Sequence, residues 1–260
     1  MRECYRNILL KTAHSGCLAT VEDRLERTDL EKGQIIVEPG RSMRWVYFVE
    51  TGLISVISHP AKHQDIELGV IGREGMTGEA VALDDDRSPF TYRVQIAGCA
   101  LRIEAGRLRE AMVLSRPLHL FLLRFARAQH IQLCSTAAVN KRGTINQRLA
   151  RWILMTYDRI DGDRLHVTHD TFARLIAASR ASVTKALHHL EGMSLIHSMR
   201  NTIIVRNAKG LQVLAGSAYG LAESEYARLI GTDFRRHRMR YGSGDVPELF
   251  LSEHSPGDLS

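Results

Sequence analysis

Thr168-His169-Asp170-Thr171-Phe172-Ala173, then Ser179-Arg180-Ala181-Ser182-Val183-Thr184-Lys185-Ala186-Leu187, closed by Leu190-Glu191-Gly192, is the stretch whose reading decides the fold. Thr168 is placed to cap a helix that buries Phe172, Leu175 and Ile176, since a hydroxyl there accepts from the orphan amides of the first turn. Ala177-Ala178-Ser179 leaves room only for a short turn. Ser179 then caps a second helix in which Val183, Ala186, Leu187 and Leu190 recur at i, i+3, i+4 and i+7, forming one apolar stripe. The opposite face carries Arg180, Ala181, Ser182, Thr184, Lys185 and His188, and no carboxylate before Glu191. Gly192 ends the helix, and Leu195–His197 and Thr202–Arg206 are expected to pair across Ser198-Met199-Arg200-Asn201. This pattern is a helix–turn–helix followed by a wing.

Charge supports a polyanionic partner for this stretch. The 260 residues carry a formal net charge of +6, and residues 141–210 alone hold 12 Lys/Arg against 5 Asp/Glu. Local excess of this kind attracts polyphosphate, because each neutralised phosphate releases condensed counterions. An apolar, capped helix with small hydroxyls and a guanidinium at its start also fits a DNA major groove.

Outward from this stretch, residues 30–104 read as short strands with glycine turns. Ile35–Val37, Trp45–Val49, Leu53–Ile57, Ile66–Ile71, Phe90–Ile96 and Ala100–Ile103 are the expected strands, separated by Gly40, Gly52, Gly72/Gly75/Gly78 and Gly98. Phe90, Tyr92, Val94 and Ile96 alternate with polar neighbours, the period of a half-buried strand. Six strands at this spacing imply a small antiparallel barrel or jelly roll. Pro117 opens a segment free of Gly and Pro that runs to about Val139, long enough for a helix of about 33 Å. Leu118, Phe121, Phe125, Ala128 and Gln132 share one face of it, and Ile131, Cys134 and Ala138 form a second row. The helix lies either on its own roll or against its copy in a homodimer, and the first row is assigned to the dimer seam. Lys141-Arg142-Gly143 marks a hinge before a helix over Thr144–Tyr157.

The helix–turn–helix motif resembles that of the bacterial Crp/Fnr transcription regulators. Pro39-Gly40, Val46-Tyr47-Phe48 before Gly52, and Gly78-Glu79 resemble that family's cyclic-nucleotide-binding-like roll. The resemblance implies an α+β chain: a sensory β-roll over 1–116, a central dimerisation helix over 117–140, a winged helix–turn–helix over 141–215 and a C-terminal extension over 216–260. It implies a dimeric, sequence-specific DNA-binding regulator that reads an inverted-repeat operator and meets RNA polymerase. Thr168, His169, Ser179, Arg180, Ser182, Thr184, Lys185, Arg200 and Asn201 would face the DNA. Ala181 stands where the family has Glu, so the operator should differ from that of the cyclic-AMP receptor protein. Ala177 stands where a turn Gly is common. Left-handed backbone there would cost about 1–2 kcal/mol, so the turn is expected to avoid it. By the same resemblance Gly78, Glu79, Arg87 and Ser88 would hold a cyclic nucleotide, but the Glu79 to Arg87 interval is short, Pro89 intrudes and Asp84-Asp85-Asp86 crowds an anion with like charge.

Other readings are weaker. Cys4, Cys17, Cys99 and Cys134 lie far apart, as reduced thiols of a cytoplasmic chain, and Cys4 and Cys17 lack the spacing of the family's iron–sulfur sensors. His188 and His189 point about 100° apart on a helix, so no metal site is assigned. No apolar run approaches the roughly 18 residues of a membrane span. No nucleophile elbow, P-loop or HExxH motif appears, which excludes the enzyme classes those motifs mark. A regulatory protein whose winged helix docks another protein is the alternative function. Arg235–Arg240 opens a basic tail, expected to be flexible.

Overall fold

The structure is a computed structural model that describes residues 5–60 and 65–235. Cys4, Arg236 and the rest of the basic tail lie outside the described residues. The chain begins with α1 (Ile8–Thr12) and α2 (Ser15–Leu18), followed by the roll: β1 (Glu26–Leu30), β2 (Ile35–Val37), β3 (Trp45–Ser58), β4 (Ile66–Ile71), α3 (Glu79–Ala82), β5 (Thr91–Glu104) and α4 (Ala105–Leu114). All pairings in the sheet are antiparallel, in the order β1-β5-β3-β4, with β2 also on β5.

Two glycines expected as turns are bends within continuous strands. Gly52 lies inside β3 and Gly98 inside β5, and the register slips three times between Val49 and Ile54. A Cβ on Gly98 would stand 2.1 Å from the Thr51 carbonyl oxygen, and one on Gly52 2.6 Å from that of Ile96. The strands therefore cross so closely that neither position tolerates a side chain, and the four expected segments fuse into two long curved strands. β1, with two acids, an Arg and a Thr before Leu30, lacked the apolar alternation that would have revealed it.

Ser115 caps α5 (Arg116–Arg142), accepting from the Leu118 amide, with Pro117 in the first turn. The row assigned to a dimer seam faces this chain instead. Leu118, Phe125 and Ala128 are buried in the roll's own core, Phe121 packs at its margin, and the buried Gln132 accepts from the Val70 amide of β4 at 2.8 Å. Their 3-4 spacing records packing on the sheet, which needs the same stripe as a helix partner. The face left uncovered includes Leu120, 45% exposed, with Cys134 and Ala138 exposed and Ile131 half-buried.

Beyond Gly143 come α6 (Ile145–Arg159), β6 (Arg164–Leu165), α7 (His169–Leu175), α8 (Arg180–Gly192), β7 (Ile196–Met199), β8 (Thr202–Val205) and α9 (Ala208–Ala215), with a sheet ordered β6-β8-β7. Their shared core is centred on Trp152 and Phe172, edge to face at 5.0 Å, and takes in Leu53 and Val70 from the roll. The C-terminal extension is not a loose tail over its described part. α10 (Leu221–Ile230) lies along α5, and Tyr226, Ile230 and Phe234 join the roll's core.

Polar groups are buried where these parts meet. Arg159 Nε donates to Glu74 at 2.7 Å with both side chains 2% exposed, and its guanidinium lies over the Phe234 ring at 4.7 Å. The Tyr226 hydroxyl donates to the Glu74 carbonyl at 2.6 Å, and the Tyr219 hydroxyl donates to Asp158. Glu67 of β4 accepts from Trp152 Nε1 at 2.6 Å and from the Ser55 hydroxyl, and its burial raises its pKa to about 7.

Candidate nucleic-acid interface

The helix–turn–helix is built by paired caps. Thr168 accepts from the Thr171 amide at 3.1 Å and Ser179 from the Ser182 amide at 3.1 Å, so each helix starts where its hydroxyl satisfies an orphan donor. Phe172, Leu175 and Ile176, and then Val183, Ala186, Leu187 and Leu190, are all buried, which turns the other face of α8 outward. Ala177 does take left-handed backbone, φ 50°, against expectation. The strain is held by Arg148 of α6, whose Nη1 donates to the carbonyls of Ile176 at 2.9 Å and Ala177 at 3.3 Å. A sequence reading limited to the turn itself does not see this arginine, 28 residues upstream.

Arg180, Ala181 and Lys185 are exposed on α8, Ser182 and Thr184 partly so. Thr184 donates its hydroxyl to the Arg180 carbonyl at 3.0 Å and lies within hydrogen-bond distance, 3.1 Å, of His169 Nδ1. The wing turns at Arg200 and Asn201, both exposed, two residues shorter than expected: Ser198 pairs with Ile203 and Met199 with Thr202, and Asn201 has φ 58°. Glu191 ties the wing to α8, accepting from the Ser198 amide at 2.9 Å and contacting His197 Nδ1 at 3.0 Å. The Ser198 amide, and after it the hydrogen bond with His197, hold the Glu191 carboxyl below its usual range. The nine expected DNA-facing residues thus lie in α7, α8, their caps and the wing tip. Asp170, which was not among them, lies beside Arg180, with 3.4 Å between its Oδ1 and Nε.

In the roll, Glu79 and Ser88 meet at the Tyr92 hydroxyl, while Arg87 lies apart from them. Tyr92, 1% exposed, donates its hydroxyl to Glu79, whose burial raises its pKa and whose Oε2 is enclosed without a hydrogen-bond partner. Ser88 accepts from the Phe90 amide at 3.1 Å, and Gly78 packs so close to Val46 that a Cβ would meet it at 2.7 Å. Arg87 points away, its side chain 67% exposed and 3.5 Å from Asp86. Asp86 is held below its ordinary pKa first by the Ser42 hydroxyl. These residues do not fit a cyclic nucleotide: one carboxylate oxygen is taken by the chain's own phenol, the other is enclosed, and the guanidinium is outside. No helix among the described residues is long and apolar enough to cross a membrane, and no cluster of three metal-ligating side chains occurs among them.

A roll joined through a long helix to a winged helix–turn–helix defines a two-module transcription regulator. Residues 27–113 match the cyclic nucleotide-binding domain model and residues 147–214 the Crp-like helix-turn-helix domain model. The chain belongs to the Crp/Fnr family. It is similar to the cAMP-activated global transcriptional regulator CRP of Haemophilus influenzae, with 22% identity over 183 residues, 67% of this chain and 81% of that protein. The fold is shared with the c-di-GMP responsive global regulator CLP of Xanthomonas campestris (18% identity, TM-score 0.59, 74% of this chain and 99% of that one). It is also shared with a CRP-family transcriptional regulator of Thermus thermophilus (23% identity, TM-score 0.60, 74% and 98%).

Proposed function

We propose that this regulator binds an inverted-repeat operator as a dimer, laying α8 in the major groove. The observation that carries the reading is the outward face of α8: Arg180 and Lys185 stand in solvent while the apolar stripe behind them is buried. Thr168, Ser179 and His169 present further polar groups where the helices begin, in reach of phosphates, and Arg200 and Asn201 do so at the wing tip. Two copies would meet half-sites roughly 34 Å apart. The seam that supports the dimer is the uncovered face of α5, with Leu120, Ile131, Cys134 and Ala138, in place of the row buried on the roll. Regulation in the cytoplasm, a contact with RNA polymerase and a role without catalysis follow the family. No step of this function is assigned to a cyclic nucleotide.

The test is a gel-shift series on an operator selected from random duplex. Arg180→Ala should cost about 1–3 kcal/mol of binding and relax sequence choice, whereas the exposed Lys209→Ala should mainly lower the salt slope. Equal affinity of the wild type for operator and scrambled duplex refutes the reading.

A further inference from the structure

The recognition helix carries no acid in its first turns, yet the fold brings one to it. Ala181 follows Arg180, and the sequence offers no carboxylate on that face until Glu191. Asp170, in the first turn of the preceding helix α7, closes the gap across the turn: its Oδ1 lies 3.4 Å from Arg180 Nε. The two side chains are 59% and 70% exposed, so the pair stands at the surface that α8 presents, not in the core.

The geometry points to Asp170 as a specificity-determining positioning residue for Arg180, an inference that rests on the DNA-binding reading above. A guanidinium has five donors in a planar fork. The ion pair sets the carboxylate on the Nε side of the guanidinium and leaves the two terminal nitrogens as an end-on pair, which matches the O6 and N7 acceptors of a guanine. A free arginine at a helix start swings over many rotamers and pairs with whichever phosphate is nearest, which adds affinity without sequence information. An arginine steered by a carboxylate is confined to fewer directions. The same carboxylate repels phosphate, so it lowers affinity for arbitrary DNA while its second oxygen can accept from the exocyclic amine of cytosine in the groove. Asp170 therefore supplies from α7 the acceptor that Ala181 withholds from α8. It trades non-specific grip for choice of base.

The experiment selects bound sequences from random duplex with the full chain as wild type, Asp170→Asn, Asp170→Glu and Arg180→Ala, then measures affinity for the selected site, for the site with each base pair substituted, and for scrambled DNA. The wild type should prefer one G·C pair in each half-site on the order of ten-fold or more, a preference that Arg180→Ala abolishes. Asp170→Asn should bind scrambled DNA several-fold tighter and lose most of the preference at that one pair, leaving the other positions of the site unchanged. Asp170→Glu should recover part of it. A residue acting only as a helix-start acid would weaken all sequences alike and shift no single position. Asp170→Asn with the wild-type preference intact at every position overturns the inference while leaving the DNA-binding reading standing. A wild type with no sequence preference at all overturns both.

Discussion

Replacing Glu67 by Gln tests the junction between the roll and the DNA-binding module through the pH dependence of stability. Glu67 is fully enclosed between β3, β4 and α6, with Trp152 Nε1 and the Ser55 hydroxyl on its two oxygens and Arg151 and Arg159 nearby. Burial outweighs these favourable contacts and moves its pKa from 4.5 to about 7. Between those values the folded state holds more proton than the unfolded one, so stability falls as pH rises through that window and is level above it. At 1.36 kcal/mol per unit, the ionised carboxylate costs about 3 kcal/mol at pH 8 relative to pH 4.5. Gln keeps the shape and an acceptor for Trp152 and cannot ionise. Thermal melts of both proteins from pH 5 to pH 8 should approach one another at the acid end, separate as pH rises towards 7 and keep a constant gap above it. The variant should melt higher there by about 6–12 °C, at roughly 2–4 °C per kcal/mol for a chain of this size. The exposed carboxylates titrate alike in both proteins and cancel in the difference. Parallel curves, or a variant less stable than wild type at pH 8, would refute the burial argument.

Ala177→Gly relieves left-handed backbone and should raise the melting temperature, by about 1 kcal/mol of stability, without altering operator affinity more than two- to three-fold. Gly98→Ala forces a Cβ into the Thr51 carbonyl and should destabilise the roll by roughly 3 kcal/mol or prevent its folding, measured by denaturant melts. Arg159→Met strands Glu74 in a dry site and should cost about 3–5 kcal/mol, most of which a second change, Glu74→Leu, should restore; a double variant no better than the single one would show that packing, not the stranded charge, causes the loss.

The helix–turn–helix was legible because each signal there is local: a capping hydroxyl, an apolar stripe and a terminating glycine sit within a few residues of the groups they act on. The roll was legible in kind but not in connection. Gly52 and Gly98 read as turns because a glycine that permits close approach of two strands looks in sequence like one that reverses the chain. The α5 stripe misled for a related reason, since Leu118, Phe125 and Ala128 have the same spacing whether they pack on a sheet or on a second helix. Ala177 was misjudged because the support for its strained backbone comes from Arg148. Asp170 and Tyr92 were missed as partners of Arg180 and Glu79 because their roles exist only once the chain has turned back on itself. Glu67 gave no signal, being one acid beside apolar residues.

The chain enters the DNA-binding module from α5 and leaves it into α10, and both of those helices are fastened to the roll. A body leashed at two points keeps only the rotation about the line that joins them. If the module swings to meet or release an operator, it must do so as a hinged door, and Arg159 with Glu74, beside the departing end, is the bolt that such a motion would have to draw.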